Sequence, residues 1–154
     1  MADLEVRTAQ IADIEELLPL VGDALERLLQ LRGGAFLLTE LGLPASTSPD
    51  ALTAALCAGT SLGATTLVAE LEGRLVAFAV LVHSDDGIDL LGIHTERSLR
   101  RRRIGSELLA AAQALASDQR ARFEALALPG DQTVKSLLEA AGFRARLLRM
   151  SDDR

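Results

Sequence analysis

The chain has 154 residues, of which 49% are hydrophobic and 25% are charged, so it can bury one sizeable core. No apolar run is long enough to cross a bilayer, and the acidic N-terminus lacks the pattern of a signal peptide. A single cysteine, Cys57, excludes an internal disulfide, and no cluster of cysteine and histidine residues indicates a metal site. We therefore expect one cytoplasmic domain over residues 1–154, with no metal and no membrane partner.

The net charge of -6 is divided unevenly along the chain. Residues 1–96 carry 4 basic and 15 acidic side chains, a net charge of -11, whereas residues 97–154 carry 12 basic and 7 acidic side chains, a net charge of +5. Such a division indicates that one face of the domain binds an anion and that another face binds a cation. The absence of tyrosine and tryptophan leaves few platforms for stacking bases, so we expect no nucleic-acid partner, although binding through residues 97–103 is an open alternative.

The first third of the chain predicts a strand, a helix and a loop. Leu4–Arg7 alternates in hydropathy, as strands do. From Ile11 to Leu28, apolar residues recur every three or four positions, which predicts a helix that Pro19 should kink or split. We expect residues 33–47 to form a loop with an apolar middle.

The middle of the chain predicts a second helix and three strands. Ser48-Pro49-Asp50 has the pattern of a helix start, and this helix should run to about Cys57 and stop at Gly59. Residues 65–72 and 74–83 are rich in strand-forming residues and are joined at Glu72-Gly73, a hairpin pattern. A third strand is predicted over residues 88–94, after the turn at residues 85–87.

The last third predicts a helix from Ile104 to about Leu115, a strand over residues 123–128, a short helix capped by Asp131 and a final strand over residues 143–150. The order of elements is therefore β-α-α-β-β-β-α-β-α-β.

Four consecutive arginines, Arg100–Arg103, lie between a predicted strand and a predicted helix. The N-terminus of a helix leaves backbone N–H groups unpaired and carries partial positive charge, so it attracts phosphate. Gly105 would let the backbone approach an anion, and arginines add charge-assisted hydrogen bonds. The pattern predicts a phosphate cradle; a solvated, positively charged turn is the alternative.

This stretch resembles the signature of the GCN5-related N-acetyltransferase (GNAT) family, Arg/Gln-x-x-Gly-x-Gly/Ala, at Arg100 and Gly105. "LLGIHTE", residues 90–96, resembles the fourth strand of that family, and "SLLEAAGF", residues 136–143, resembles its last helix and Gly-Phe turn. The resemblance implies an α/β fold with a mixed, mostly antiparallel central sheet flanked by helices. It also implies an acetyl-CoA-dependent N-acetyltransferase that acetylates a primary amine without an acyl-enzyme.

The resemblance assigns the cofactor-binding residues by position. The cradle would comprise Arg100, Arg101, Arg102, Arg103, Ile104, Gly105 and Ser106, with backbone donors from Arg101 to Ser106. The pantetheine would run beside Leu91, Ile93 and Thr95. Arg103 departs from the family by occupying the first glycine position of the signature. Thr95 stands where the family often has proline, and the spacing from Ile93 to Arg100 is two residues longer than in the family.

The catalytic residues are less well defined by the sequence. Asp89, His94 and Glu96 are the candidates for the general base, and a chain of water molecules is an alternative. Asp89 should share a face of its strand with Leu91 and Ile93, and His94 should point to the other face unless a bulge absorbs the extra spacing. Leu138 stands where many members of the family have a tyrosine that protonates the departing thiolate. We expect Leu138 to be a packing residue.

The acidic first half of the chain should form the acceptor side, which favours a cationic amine such as a polyamine, an aminoglycoside, a lysine or a peptide N-terminus. The alternative function is a catalytically weak acyl-CoA-binding module that acts as a regulator or partner protein. A homodimer formed through the last predicted strand is also possible.

Overall fold

The computed structural model describes residues 3–58 and 63–152, so the predicted helix stop at Gly59 lies outside the described residues. A 3-10 turn at residues 11–13 precedes the first helix, and another at residues 97–99 precedes the arginine run. Within these ranges no helix is both long and apolar enough to cross a membrane. The elements in chain order are β1 (Leu4–Thr8), α1 (Ile14–Gln30), α2 (Gly34–Glu40), α3 (Pro49–Cys57), β2 (Ala64–Leu71), β3 (Arg74–Ser84), β4 (Gly87–Thr95), α4 (Ile104–Asp118), β5 (Arg122–Ala125) and α5 (Gln132–Ala140).

The five strands found in residues 3–58 and 63–152 form one sheet in the order β1-β2-β3-β4-β5. The first four strands pair antiparallel with their neighbours, whereas β5 pairs parallel with β4. Glu72 and Gly73 both have positive φ, 51° and 80°, as the tight hairpin between β2 and β3 requires. The predicted α/β class with a mixed, mostly antiparallel sheet is confirmed.

Two apolar cores lie on opposite faces of this sheet. On one face, α1, α2 and α3 cover the sheet, with Leu17, Val21 and Leu38 almost fully buried. On the other face, α4 and α5 cover it, with Leu108 and Leu109 almost fully buried. The helices are therefore split between the two faces, and β4 contacts both layers.

Two features of the first third of the chain differ from the sequence prediction: α1 is not split at Pro19, and residues 34–40 are helical. Both follow from packing. Pro19 does not divide α1, because its exposed ring costs one hydrogen bond while neighbouring leucines on the buried face hold the helix in place. Residues 34–40 form α2 rather than a loop, because Leu37 and Leu38 are buried against α1 and Gly33 turns the chain with a φ of 78°. A Cβ atom at Gly34 would overlap the carbonyl oxygen of Leu28, so the two helices approach closely there.

The predicted last strand over residues 143–150 is wrong, because no strand forms there. This segment leaves the sheet and passes α2, where the Arg149 guanidinium stacks 4.9 Å from the Phe36 ring centroid and lies 3.3 Å from Glu40 Oε1. Three of its large apolar side chains are exposed, at Leu147 (84%), Leu148 (74%) and Met150 (83%). The possible homodimer through this segment stays a prediction.

Candidate active site

A β-bulge in β4 decides which of its side chains face α1. Val80 pairs with Gly92 and Leu81 pairs with Leu90, so Leu91 has no partner on β3. Leu91 packs in the core beneath α1, whereas Ile93 packs against the core beneath α4. The expectation that Leu91 and Ile93 share one face is therefore wrong.

The same bulge turns His94 toward the α1 side. His94 pairs with Phe78, which belongs to the core beneath α1, and the two ring centroids are 5.9 Å apart. The extra residue at Leu91 thus exchanges the positions that His94 and Ile93 would have had on a regular strand.

One edge of β4 is open over its second half. The parallel pairing with β5 ends at Leu90, and the last hydrogen bond runs from Leu126 N to Leu90 O at 2.9 Å. From Gly92 to Thr95, β4 pairs with β3 on one side, and from Leu91 to Thr95 it pairs with no strand of the described residues on the other side. Free N–H and C=O groups on such an edge can bind an extended ligand as an added strand.

The arginine run forms a backbone concavity next to this edge. Arg101 and Arg103 adopt left-handed conformations, with φ values of 68° and 65°. Such conformations cost a non-glycine residue about 1–2 kcal/mol, and they direct successive N–H groups toward one point, as anion-binding nests do. Arg103 thus has the backbone conformation for which glycine is best suited, while keeping a cationic side chain.

The amides of Ile104, Gly105 and Ser106 start α4 and have no partner within the helix. The first helical hydrogen bond there runs from Glu107 N to Arg103 O at 3.0 Å. The left-handed turn and these amides together form a positive concavity, which we call the cradle and which comprises residues 100–106.

The cradle opens into a cavity between β4, α4 and α5. A Cβ atom added to Gly105 would lie 3.4 Å from Leu137 Cδ2 and 3.8 Å from Thr95 Oγ1, so a larger residue would narrow the cavity at this point. Its lining residues are Arg27, Ile93, His94, Thr95, Leu99, Arg100, Arg101, Arg103, Ile104, Gly105, Ser106, Thr133, Val134 and Leu137.

Arg100 is the arginine that the fold orients. It is half-buried, and its Nε donates a 3.4 Å hydrogen bond to the Thr95 carbonyl oxygen. Burial, followed by repulsion from Arg27 and Arg97, lowers the pKa of its guanidinium. The side chains of Arg101, Arg102 and Arg103 are exposed, so their charges act from the rim of the cradle.

A second cavity lies on the α1 side of β4, and we call it the apolar chamber. It shares Arg27, Ile93, His94 and Val134 with the cavity at the cradle, so the two meet at these residues. Its other lining residues are Val21, Ala24, Leu25, Leu28, Leu31, Leu37, Leu38, Leu41, Leu52, Leu56, Phe78, Val80, Leu91, Gly92, Leu126, Leu128 and Asp131.

His94 stands at this junction as a neutral imidazole. Burial, with repulsion from Arg100 and Arg27, lowers its pKa to about 4, and Asp23 opposes the shift. The ring is therefore uncharged near neutral pH, so one of its nitrogens can accept a hydrogen bond and the other can donate one.

Asp89 and Glu96 lie away from the junction. Burial raises the pKa of Asp89, and the negative charges of Glu124 and Glu40 raise it further against the opposing charge of Arg122. Glu96 accepts hydrogen bonds from Arg74 at 2.6 Å and Ser98 at 2.9 Å, which lower its pKa. Neither carboxylate lines either cavity, so the geometry brings only His94, of the three predicted candidates, to the junction.

The residues that α5 presents to the site are Thr133, Val134 and Leu137, whereas Leu138 is 6% exposed and packs in the core beneath α4. No tyrosine is available to act as an acid, because the chain contains none.

The sequence did not reveal the ion pair between Arg27 and Asp131, whose Nη2 and Oδ1 atoms are 2.8 Å apart. The two residues are separated by 104 positions, so no local pattern connects them. The sequence predicts Asp131 as the cap of α5, and its Oδ1 does accept a hydrogen bond from Val134 N at 3.3 Å.

The sequence profile described as "Acetyltransferase (GNAT) family" matches residues 35–143, which include both the open edge of β4 and the cradle. No curated sequence is a significant match to the chain.

Solved structures with similar folds share little sequence with the chain. A ribosomal-protein-alanine N-acetyltransferase from Brucella melitensis biovar Abortus 2308 superposes with a TM-score of 0.75 at 15% identity, covering 99% of this chain and 100% of that one. An aminoglycoside N-acetyltransferase in complex with CoA gives 0.71 at 16% identity, covering 100% and 96%. The PaiA N-acetyltransferase from Thermoplasma acidophilum, in complex with coenzyme A, gives 0.73 at 16% identity, covering 94% and 91%.

Proposed function

Because the chain belongs to the acetyltransferase (GNAT) family and is thus an N-acetyltransferase that uses acetyl-CoA, we propose that it transfers the acetyl group directly to a primary amine of a cationic acceptor. The observation that carries this proposal is the open edge of β4 from Leu91 to Thr95, with the cradle at one end and the apolar chamber beside it. A donor laid along this edge would bring its acyl group to the junction of the two cavities.

The residues at the cradle fit the phosphates of CoA. The amides of Ile104, Gly105 and Ser106 are free of helical partners, and the α4 N-terminus adds partial positive charge. Arg100 provides one oriented guanidinium, and the exposed arginines attract the phosphates from solution. CoA supplies the acetyl group as a thioester, and an N–H group on the open edge of β4 would donate to the thioester oxygen and polarise the carbonyl.

His94 is the group that we assign to proton transfer. As the amine nitrogen bonds to the acetyl carbon, the carbon–sulfur bond breaks, and the nitrogen must lose a proton while the sulfur leaves as a thiolate. Neutral His94 can accept that proton, and an imidazolium with a pKa of about 4 readily gives it to a thiolate, because an ordinary thiol has a pKa of about 8.5. One imidazole at the junction could therefore serve both atoms, which is consistent with the lack of a tyrosine acid.

Carboxylates beside the chamber support the cationic character of the acceptor. Asp89 lies close enough to Glu124 and Glu40 for their charges to raise its pKa. Glu40 pairs with Arg149 and Glu124 pairs with Arg122, so Asp89 is the acid of the three that would attract an ammonium group toward the site. The attraction acts on approach, since the amine must be deprotonated before it reacts.

Release of CoA thiol and the mass of the acetylated product, measured with acetyl-CoA and a panel of primary amines, test this function. We expect turnover in the native protein, a loss of at least tenfold in kcat in His94→Gln, and little change in the matched control His83→Gln. His83 bonds to Thr65 Oγ1 at 2.8 Å, at the end of β3 and outside both cavities. Tight CoA binding without acetylation of any amine would instead identify a CoA-binding regulatory module.

A further inference from the structure

The apolar chamber differs from the site that the acidic first half of the chain would suggest. Of its lining residues in the described part of the chain, only Arg27, His94 and Asp131 have polar side chains, and the others are aliphatic residues, one phenylalanine and one glycine. The walls come mainly from leucines of α1, α2 and α3. Burying hydrocarbon against such walls is favourable by about 0.8 kcal/mol for each methylene group.

The polar side chains of the chamber leave no charge for a second ammonium group. Arg27 and Asp131 pair at 2.8 Å and neutralise each other, and Asp131 Oδ1 also caps α5. His94 is neutral and stands at the junction, where the reacting nitrogen belongs. Moving an ammonium group from water into an apolar site without a partner is strongly unfavourable.

The mouth of the chamber is apolar as well. Leu126, which is 36% exposed, and the half-buried Leu128 follow β5, and Leu128 Cδ2 lies 3.7 Å from the position that a Cβ atom would take at Gly33, in the turn between α1 and α2. Leu28, on the last turns of α1, is half-buried and lines the chamber, whereas the adjacent Leu29 is 48% exposed and does not.

We propose that the acceptor is a primary amine carried on an apolar body without a second charge, an inference that rests on the transferase function proposed above. The reacting nitrogen would lie at the junction near Gly92 and His94, and its aliphatic or aromatic body would lie among the leucines of the chamber. The carboxylate of Asp89 lies outside the chamber and attracts the single ammonium group during approach, whereas Glu40 and Glu124 are paired with Arg149 and Arg122. Polyamines and aminoglycosides are excluded as preferred acceptors, because their additional ammonium groups would be buried without partners.

Matched amines provide the test. With acetyl-CoA, kcat/KM should increase about three- to fourfold for each methylene group from ethylamine to butylamine. It should fall at least tenfold from butylamine to 1,4-diaminobutane, which has the same chain and one more ammonium group. A hydrophobic amine borne by a peptide is tested by comparing Leu-Gly-Gly with Gly-Gly-Gly, where the peptide with the apolar first side chain should react faster.

A matched pair of variants localises the effect. Leu28→Glu places a carboxylate in the chamber and should reverse the preference in favour of 1,4-diaminobutane, whereas Leu29→Glu, one residue further on the exposed face of α1, should leave the native preference unchanged. If both variants change the preference equally, the chamber is not the acceptor site, and the inference is overturned.

Calorimetric titration of the same amines into the CoA complex separates this inference from the proposed function. Tighter binding of longer alkylamines without acetylation would refute the transferase function and support the apolar site. Acetylation that favours the diamine, or that ignores chain length, would refute the apolar site and support the transferase. Faster transfer from butanoyl-CoA than from acetyl-CoA, with no effect of amine length, would show that the chamber holds the acyl chain and would likewise overturn the inference.

Discussion

Arg27 Nη2 lies 2.8 Å from Asp131 Oδ1, and this ion pair joins α1 to the N-terminus of α5 where the two cavities meet. Asp131 is 13% exposed in its side chain and serves both as the partner of Arg27 and as the cap of α5. One carboxylate therefore fixes the helix that carries Val134 and Leu137 into the site.

The two roles of Asp131 can be separated by substitution. Asp131→Asn keeps an oxygen that accepts from Val134 N but loses the charge, so it should lower the free energy of unfolding by about 1 kcal/mol, because the pair is only partly exposed. Asp131→Ala loses the cap too and should cost about 1 kcal/mol more. Chemical denaturation of both variants in the native and Arg27→Gln backgrounds measures the two contributions. Equal losses in Asp131→Asn and Asp131→Ala would show that the cap contributes nothing.

Gly105→Val should abolish CoA binding at the cradle. Its side chain would extend toward Leu137 and Thr95 and would narrow the cavity into which the cradle opens. In the native protein, CoA at a hundredfold excess over its dissociation constant should stabilise the fold by about 2.7 kcal/mol. Thermal unfolding with and without CoA detects this gain. The matched control is Gly22→Val on α1, where a Cβ atom meets nothing within 4 Å, and it should keep the full CoA effect.

Arg103→Gly and Arg103→Ala should separate backbone strain from charge. Both remove the cation, but only glycine adopts a φ of 65° without penalty, so Arg103→Gly should be more stable than Arg103→Ala by about 1 kcal/mol. Both should weaken CoA binding only modestly, by a factor that calorimetry can measure, because the amides do most of the binding. Complete loss of binding in Arg103→Gly would contradict a cradle made of backbone amides.

Arg100→Ala should weaken the binding of CoA by about 1–2 kcal/mol, since the Arg100 guanidinium is half-buried and oriented by Thr95.

The pH dependence of stability should show the neutral state of His94. Its pKa of about 4 in the fold lies below the ordinary value of 6.5, so between these values the unfolded chain binds more protons than the folded chain. The contribution of His94 to stability is therefore fully present above about pH 6.5 and is lost as the pH falls toward 4. Denaturation curves of the native protein should lose stability over this range by up to about 1.4 kcal/mol per pH unit more than those of His94→Gln. Parallel pH profiles of the two proteins would mean that His94 is not buried as a neutral group.

Leu138 and Leu137 should respond differently to truncation. Leu138→Ala removes a side chain that is 6% exposed in the core beneath α4 and should cost about 2–5 kcal/mol. Leu137 is partly buried and lines the cavity at the cradle, so Leu137→Ala should cost less stability and change CoA affinity more. Denaturation and CoA titration of both variants decide the matter; a larger loss of affinity in Leu138→Ala would place that residue, not Leu137, next to the ligand.

Much of the fold could be predicted where a local pattern determines the local structure. Ser48 accepts a hydrogen bond from Ala51 N and Pro49 starts α3, as the sequence indicated, and Asp131 caps α5. Glu72 and Gly73 form the predicted hairpin, because their left-handed conformations fit the twist of paired strands.

The parts that could not be predicted depend on contacts between distant segments. The bulge at Leu91 arises from the pairing of β4 with β3, so the extra spacing in the sequence allowed for a bulge but could not locate it. The bulge changes which side chains of β4 reach the site, because it turns His94 toward α1 and Ile93 toward α4. The formation of α2 and the path of residues 143–150 likewise depend on packing against α1 and on the contacts of Arg149 with Phe36 and Glu40.

The central claim is that the open edge of β4 and the cradle bind acetyl-CoA so that its acyl group reaches His94. A crystal structure of the complex with CoA tests it most directly. We predict that the pyrophosphate contacts the amides of Ile104, Gly105 and Ser106, that the pantetheine lies along β4 from Leu91 to Thr95, and that the sulfur lies at the junction beside His94. CoA bound elsewhere, or bound at the cradle with its sulfur directed away from His94, would contradict the account.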